Sequence, residues 1–581
     1  MRDLSKLSLT LALPALALAC ADDSVTDSTS QDDIGMTDTA DTTTDDTATE
    51  TGSTDSTTTT DTTDTLDTTD TTTTDTTTDT TDITDTTTDT TDTTTDTTET
   101  GLFCTPGSTV CADSESVQTC VDDGSMYGDP VPCEPTESCS GGQCVSACDL
   151  IQANPSSVGC SFFATKHDNF YNNANDPTKH DSLIAGNISS DDPVNAQLYF
   201  VPVNSNAEQA MGAPVVIPAQ GAHTFVLSQP EIDSFTTIRQ GGVYRLETDR
   251  PVVAYQHSPI GSTATNDASM LLPEHALTGN YVVTSYPATV GNYPSYFLAI
   301  GTADGTTVDF TVTQATAAGG GVPALAAGGS TSVMLDRYEV LNVVVQQQNG
   351  GDLSGTVVSA TQPLHLIGAT ECANVPNGSQ TFCDHMEEAP FPLEYWGQEY
   401  VGAHAPPRNN EWFHWRVYGG EDGVTVNTTP AQPGFPLMLN KGQYYQFQTK
   451  NHFIITGDGP FLPVQLLESQ NPNAGTGDPG MYQMVPTEQF LSSYAFVTGT
   501  NYNQHYVQVI RPAGGSDVTV DANVVGNYTA VGTFEVANVL IGEGAHFATS
   551  NQPFGIVNVG YTPVTSYAYP GGLKLEIINP Q

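Results

Sequence analysis

The chain has 581 residues and carries 67 Asp and Glu against 14 Lys and Arg, a formal charge of −53. This length is too great for one hydrophobic core and predicts several domains. The excess of carboxylates excludes nucleic acid and anionic lipid surfaces as partners, because binding to either needs cationic contacts.

Residues 1–20 predict an export signal. A charged start precedes an apolar stretch, residues 7–19, that is too short to span a bilayer as a helix. The stretch ends in Ala17-Leu18-Ala19-Cys20, which resembles the bacterial lipobox, in which the cysteine sulfur is acylated. We therefore expect lipidation at Cys20 and a place in the bacterial cell envelope, at the outer membrane or cell surface. Cleavage without lipidation would instead give a secreted protein.

Residues 21–101 predict a disordered tether. The stretch is almost entirely Thr, Asp and Ser, with 23 acidic residues and no Lys or Arg between Ala21 and Thr100. Without large apolar side chains nothing offsets the entropy of folding, and the repulsion of like charges extends the chain. We expect a spacer that holds the folded part away from the membrane.

Residues 102–148 predict a small disulfide-rich module with too little apolar mass for a core. Its six clustered cysteines allow 15 pairings, which the sequence leaves open, and their spacings lack the C-x2-C knuckles of zinc sites. Of the 11 cysteines, ten remain for disulfides if Cys20 carries lipid. These ten are Cys104, Cys111, Cys120, Cys133, Cys139, Cys144, Cys148, Cys160, Cys372 and Cys383.

Residues 149–581 predict an all-β module, because short Val, Ile, Thr, Tyr and Phe runs alternate with turn residues. Three elements recur. The first is a hairpin with an acidic turn, as at Asp304-Gly305 and Asp422-Gly423; the second is a strand pair interrupted by proline, as at Pro251, Pro363 and Pro553. The third is an Asp–Met–Pro bridge that starts at Asp267, Asp384 and Asp478.

The repeats predict four tandem sandwich-like units at about 160–283, 284–400, 401–497 and 498–581, each with six or seven strands. A four-fold propeller-like ring is the alternative arrangement. The elements resemble the IgGFc-binding protein N-terminal domain family. The stretches that carry the resemblance are SGTVVSATQPLHLIG, CDHMEEAPFPLEYWGQEYV, GDPGMYQMVPTEQF and SYAYPGG. The resemblance extends over about 160–572 and implies an extracellular binding or adhesion role, without placing an immunoglobulin site.

The second bridge contains the strongest candidate cluster, Asp384, His385 and Glu388, which could bind a metal or move protons. Because the other bridges share only Asp, Met and Pro, a structural role is the favoured interpretation. The metal is left unassigned, although calcium suits so many carboxylates better than zinc. Trp396 and Trp412 lie in an aromatic-rich stretch that either packs in the core or stacks on a ligand.

No nucleophile elbow, Walker loop or H-E-x-x-H pattern occurs, so we assign no catalytic residue and predict that the protein is not an enzyme. The favoured function is a surface-displayed lipoprotein that binds an extracellular protein or glycan through its β module. Two other interpretations stay open: an exported metal-dependent hydrolase and a structural component of the envelope.

Overall fold

The computed structural model describes residues 102–153, 155–166, 168–170, 180–228, 235–259 and 265–581. The predicted signal peptide, Cys20 and tether lie outside the described residues. The predicted all-β class is confirmed: within the described ranges the helical elements are α1 (Ala147–Ala153) and three 3-10 turns. These turns are Glu274–Ala276, Leu393–Tyr395 and Thr487–Gln489. No helix in the described part of the chain is long and apolar enough to cross a membrane.

The small N-terminal module consists of two short antiparallel sheets held together by disulfides, as predicted. Its strands are β1 (Thr109–Asp113), β2 (Ser116–Thr119), β3 (Val131–Pro132), β4 (Glu137–Ser140) and β5 (Gln143–Ser146). The pairing that the sequence left open is Cys104–Cys120, Cys111–Cys139 and Cys133–Cys144. A fourth disulfide, Cys148–Cys160, fastens α1 to the first strand of the large module.

The large module contains four units, each with two packed antiparallel sheets. Unit 1 contains β6 (Gly159–Thr165), β7 (Asp181–Asn187), β8 (Val194–Val201), β9 (Gln209–Ala210), β10 (Val215–Ile217), β11 (Ala222–Leu227), β12 (Thr237–Gln240), β13 (Val243–Ser258) and β14 (Asp267–Leu271). Unit 2 contains β15 (Asn280–Val282), β16 (Ser295–Gly301), β17 (Thr306–Thr311), β18 (Ser330–Leu335), β19 (Glu339–Val344), β20 (Val357–Ala360), β21 (Leu364–Ala373) and β22 (Asp384–Glu388).

Units 3 and 4 repeat this arrangement. Unit 3 contains β23 (Glu399–Gly402), β24 (Phe413–Gly419), β25 (Val424–Thr429), β26 (Leu437–Leu439), β27 (Tyr444–Thr449), β28 (Phe453–Gly457), β29 (Phe461–Leu467) and β30 (Gly480–Gln483). Unit 4 contains β31 (Leu491–Val497), β32 (Gln504–Pro512), β33 (Val518–Val520), β34 (Asn523–Val524), β35 (Thr529–Val531), β36 (Phe534–Ile541), β37 (Ala545–Thr562) and β38 (Thr565–Pro570).

All four units share one strand order. In unit 2 the outer sheet has the order β15-β20-β17-β18, and the inner sheet has the order β19-β16-β21-β22. Units 1, 3 and 4 reproduce both sheets. Each unit therefore has eight common strands, more than the six or seven expected. The bridge strand β15 pairs with β20, so sheet pairing groups residues 280–282 with unit 2, whereas the sequence-based boundary had placed them in unit 1.

The recurring prolines mark the point where the chain crosses from the outer sheet to the inner sheet. Residues 243–248 of β13 pair with β8 in the outer sheet, and residues 252–257 pair with β7 in the inner sheet, with Pro251 between them. Pro363 lies between β20 and β21 in the same way. Proline suits this place because no ladder hydrogen bond is needed where the chain leaves one sheet for the other. In the middle of a strand its missing N–H would remove such a bond.

The acidic turns that the sequence predicted are present, but the hairpins are not, because β16 and β17 lie in different sheets, as do β24 and β25. Gly305 and Gly423 have φ values of 69° and 83°, a region that a residue without Cβ enters at little cost. Their N–H groups donate hydrogen bonds to Asp336 at 2.9 Å and to Asn440 at 3.0 Å. Each turn therefore carries the chain from the inner sheet to the outer sheet of its unit.

The four units close into a ring around a central axis. The last strand of each inner sheet contacts the last strands of the two neighbouring units, in the order β14, β22, β30, β38 and back to β14. Gly186 of β7 lies against Val497 of β31, and Ser157 exchanges hydrogen bonds with Leu573, so the start of the module meets its end. The sandwich units that the sequence favoured are thus arranged in the ring that it gave as the alternative.

The hydrophobic core follows this plan. Units 1 and 2 each have a separate cluster between their two sheets. A larger cluster runs from the axis through units 3 and 4 and includes Tyr255, Trp415 and Tyr569. Burial of this continuous apolar surface stabilises the contacts between units as well as the units themselves.

Candidate functional site

The first candidate cluster, at Asp384, His385 and Glu388, lies on β22 at the ring axis. All three side chains are fully buried. The equivalent carboxylates Asp267 and Asp478 come from β14 and from the residues just before β30, so the Asp of each predicted bridge reaches the same axis. The repeat thus brings together acids that are more than 200 residues apart in the chain.

Asp267 joins three units. Its Oδ2 accepts hydrogen bonds from the N–H groups of Glu387 at 3.1 Å and Met481 at 2.9 Å, and its Oδ1 accepts one from Ala268 at 2.9 Å. Glu388 similarly accepts hydrogen bonds from the backbone and side-chain N–H groups of Gln483, both at 2.9 Å. These bonds satisfy buried donors of neighbouring inner strands and fix the register between units.

Burial dominates the electrostatics at the axis. It raises the pKa of Asp384 well above its usual value, and the negative charges of Asp478 and Asp267 add to the rise. Neither carboxylate oxygen of Asp384 accepts a hydrogen bond of normal geometry, so the backbone N–H groups facing it offset little of the rise. Burial also raises the pKa of Asp267 and Glu388 well above normal, and that of Asp478 to about 7.

Among the described residues, the axial side chains do not form a close group of three potential metal ligands. Within the described ranges, the one group of three potential ligands with closely spaced atoms is Cys133, Glu137 and Cys144, and its two cysteines are bonded to each other. His385 and Glu387 contact each other at 3.4 Å, and both are fully buried. The axial groups are therefore arranged to join strands, in agreement with the structural interpretation of the bridge.

The two candidate tryptophans have different environments. Trp396 is 1% exposed, and its Nε1 donates a hydrogen bond to the carbonyl of Phe391 at 2.8 Å, so it packs in the core. Trp412 is 43% exposed, and Lys450 Nζ lies over its ring, 5.0 Å from the centroid. Trp412 is thus the one sequence-predicted binding residue whose side chain the structure leaves open to a ligand.

Lys450 also lines a cleft between units 3 and 4, with a volume of about 540 Å³. Its walls come from unit 3 at His404 and His452 and from unit 4 at Thr529–Gly532 and Asn538. The side-chain Nε2 of Gln508 in unit 4 donates a hydrogen bond to the carbonyl of His404 in unit 3 at 2.7 Å, and this bond joins the two walls. Sequence reasoning missed this cleft, because its residues come from two units and share no motif.

Stacked neutral rings form the unit 3 wall. His404 stacks on Phe413 and on His452, with ring centroids 3.8 Å apart in each case. Burial lowers the pKa of His404 to about 4 and that of His452 to about 3, where the neighbouring His404 adds to the effect. The rings are therefore uncharged at neutral pH and can offer one hydrogen-bond donor and one acceptor beside the Lys450 cation.

Nδ1 of His404 donates to the carbonyl of Ala405 at 2.9 Å, and Nδ1 of His452 accepts from the N–H of His404 at 3.1 Å. These bonds fix the tautomers, so Nε2 of His404 is an acceptor and Nε2 of His452 is a donor. The cleft therefore has a fixed pattern of polar atoms and an adjacent aromatic face. Fold and cleft together define a disulfide-bonded β-ring protein whose accessible polar and aromatic groups suit binding.

Comparison with known proteins agrees with this class. The sequence model of the family described as IgGFc binding protein matches residues 267–560. The human IgGFc-binding protein is 30% identical over 339 residues, which cover 54% of this chain and 6% of the human protein. The chain belongs to the IgGFc-binding family. The match begins at β14, so it covers fewer residues than the range of about 160–572 that the resemblance predicted. Most of unit 1 lies outside the match, and its strand order identifies it as a further copy of the repeat.

Proposed function

We propose that this protein is a non-catalytic binding protein displayed outside the cell, anchored through acylated Cys20, with an extracellular protein as its ligand. Family membership supports the binding role, since the human relative is named for binding the Fc part of IgG. The five disulfides among the described residues support an oxidising compartment.

One observation carries the proposal. The candidate acids are buried at the axis, whereas Lys450 and His452 line an open cleft between two units and the exposed Trp412 lies beside it, in contact with Lys450. An aromatic ring beside a cation and oriented hydrogen-bonding atoms is an arrangement that protein interfaces favour. This cleft also lies inside the part of the chain that matches the family.

The binding role is tested with a soluble Cys20→Ala form of the full chain. We expect it to capture a protein ligand, with human IgG Fc as the first probe, and we expect Trp412→Ala to weaken capture about tenfold. Met438→Ala is the matched control, because Met438 is an exposed apolar residue of unit 3 outside the cleft. Equal capture by the Trp412 and Met438 variants would exclude this cleft as the binding surface.

A glycan array run in parallel tests the ligand class. A glycan signal lost in the Trp412 variant, with no protein captured, would move the assignment from protein to carbohydrate. If the soluble chain binds neither class and a deletion strain loses envelope integrity, the structural interpretation replaces the binding one.

The anchor is tested separately by growth with an alkyne-tagged fatty acid. We expect label on the wild-type chain and none on the Cys20→Ala variant, and we expect intact cells to expose the wild-type chain to added protease. Equal labelling of both chains would contradict lipidation at Cys20.

A further inference from the structure

The edge strand of the inner sheet has a neighbour along its whole length in unit 2 and along only part of its length in unit 4. In unit 2 the outer edge of β19 is fully occupied. The segment β12, supplied by unit 1, pairs with residues 339–342, with Thr237 opposite Asn342. The remaining part of the edge bonds to residues 315–317, where the N–H of Ala317 donates to the carbonyl of Val344 at 3.1 Å.

In unit 4 the equivalent edge strand is β36, and only its first half is covered. The short strand β35 pairs with residues 534–536, and within the described chain residues 537–541 pair with β32 alone. An exposed, unpaired edge is a template for another strand, and proteins usually protect such edges with charge, proline or a covering segment. Residues 537–541 of β36 contain neither a charged residue nor a proline.

The direction of the free backbone groups follows from the hairpin between β35 and β36. Its turn has two residues, Gly532 and Thr533, so Val531 and Phe534 form the hydrogen-bonded closing pair. Because these groups alternate along a strand, the N–H and C=O groups of Asn538 and Leu540 point away from β32. Four backbone groups are thus directed outward from this edge.

This edge forms one wall of a groove of about 510 Å³. Residues 538–542 form that wall, and residues 523–527 of the outer sheet form the facing one. Leu540 is 65% exposed and Val524 is 64% exposed, so each wall presents an apolar side chain beside the free backbone. Asp521 also lines the groove; its side chain is 41% exposed, with Oδ2 2.7 Å from Nδ1 of His546 and Oδ1 accepting a hydrogen bond from the N–H of Phe547 at 3.1 Å. Asn538 also lines the cleft between units 3 and 4.

We propose that the open edge of β36 takes up an extended segment of a partner protein as an added strand, with a Lys or Arg of that segment facing Asp521. This inference rests on the proposed binding role and names the kind of ligand. The free edge of about five residues accommodates a strand of roughly 17 Å. β12 shows that the same edge in unit 2 accepts such a strand.

The negative charge of unit 4 favours a basic segment as the strand that binds at the edge of β36. Residues 491–570 hold four acidic residues and one basic residue, Arg511. The chain's own Thr- and Asp-rich segment, residues 21–101, has no Lys or Arg, and a second copy of this chain brings a formal charge of −53. Both would be repelled by the groove, whereas a basic, alternately apolar segment of another protein is attracted.

The test uses a nine-residue peptide of alternating Val and Lys with the soluble full chain. We expect the peptide to bind and to slow hydrogen exchange at the amides of Asn538 and Leu540 at least tenfold. A peptide of alternating Val and Glu, and a Val-Lys peptide with alternate amides N-methylated, should give no protection, because the first lacks the charge and the second lacks the donors.

Variants locate the site. Leu540→Pro removes one outward N–H and leaves the bonds to β32 intact, and Leu540→Lys places a positive charge against the basic peptide; each should weaken peptide binding at least tenfold. Met438→Lys is the matched control, because Met438 is 75% exposed on the edge strand β26 of unit 3. Thermal unfolding of every variant confirms that the fold is retained.

The inference is overturned if the peptide leaves exchange at residues 538–541 unchanged, or if Leu540→Lys and Met438→Lys bind it equally. Dimerisation of the soluble chain that Leu540→Pro abolishes would assign the edge to a second copy and overturn it as well. These readouts are separate from ligand capture at Trp412, so failure here and failure of the proposed function are distinguishable.

Discussion

The ring axis and the cleft between units 3 and 4 both contain titratable side chains, yet their environments give them opposite roles. At the axis, Asp267 and Glu388 are fully buried and bonded to neighbouring strands, so they join units. In the cleft, Lys450 is exposed and His452 is half-buried beside it, and both line an open wall. The position of a group relative to the ring, more than its residue type, decides between assembly and recognition.

The strongest test of the axis as a structural element is Asp267→Ala. The substitution leaves the N–H groups of Ala268, Glu387 and Met481 buried without an acceptor, so we expect a loss of about 5 kcal/mol in the free energy of unfolding. Urea denaturation measures it. Asp309→Ala, at an exposed position of β17, is the control and should change stability by less than about 0.5 kcal/mol. Similar effects of the two substitutions would show that the hydrogen bonds of Asp267 at the axis do not stabilise the fold.

The next effect is a pH dependence that the axis imposes. Because the pKa of Asp478 in the folded state is about 7, the folded protein retains a proton that the unfolded chain has lost above pH 4. Stability should therefore fall as the pH rises from about 4 to 7, by on the order of 4 kcal/mol for this group. Asp478→Asn should flatten that part of the curve, and an unchanged slope would count against a raised pKa.

The cleft should show the opposite sign. The pKa values of His404 and His452 in the folded state lie at about 4 and about 3. Below pH 6.5 both rings are therefore protonated in the unfolded chain but remain neutral in the folded protein. Stability should fall by roughly 3 kcal/mol for the two rings together as the pH drops from 6.5 to 5. His452→Gln should reduce this loss, and NMR should show no titration of either ring between pH 8 and 5. A ring that titrates near pH 6.5 would mean that the cleft wall is solvated.

The smallest expected effect concerns ring closure. A Cβ added at Gly186 would lie 2.5 Å from Val497 and 2.9 Å from Val253, so Gly186→Ala must push units 1 and 4 apart. We expect a loss of about 1–2 kcal/mol in thermal or urea unfolding. Gly291→Ala is the matched control, because nothing lies within 4 Å of its added Cβ. Equal stability of both variants would indicate a looser junction.

The sequence predicted the repeat more fully than its arrangement. The turn glycine Gly305 and the crossing proline Pro251 are local signals and lie between strands as predicted, although the turn at Gly305 joins two sheets instead of forming a hairpin. The bridge Asp267 was predicted in a turn and lies in strand β14. Ring closure depends on contacts such as that of β14 with β38, between strands about 300 residues apart, and no local pattern encodes these. The different environments of Trp396 and Trp412 likewise depend on how neighbouring units pack.

The cleft and the edge groove were beyond sequence reasoning for the same reason. His404 and Asn538 lie more than 130 residues apart and are brought together by the contact between two units. The free edge of β36 is visible only when its pairing is compared with that of β19. Periodicity identifies strands, but it does not show which strand edges remain without a neighbour.

The hydrogen bond between Ser157 and Leu573 joins residues 416 positions apart. A chain that ends before Leu573 cannot make this contact, and closing so long a loop has a large entropic cost. Ring closure therefore depends on the most distant parts of the large module. The flank of unit 1 around Gly186 is covered only when Val497 of β31 is in place.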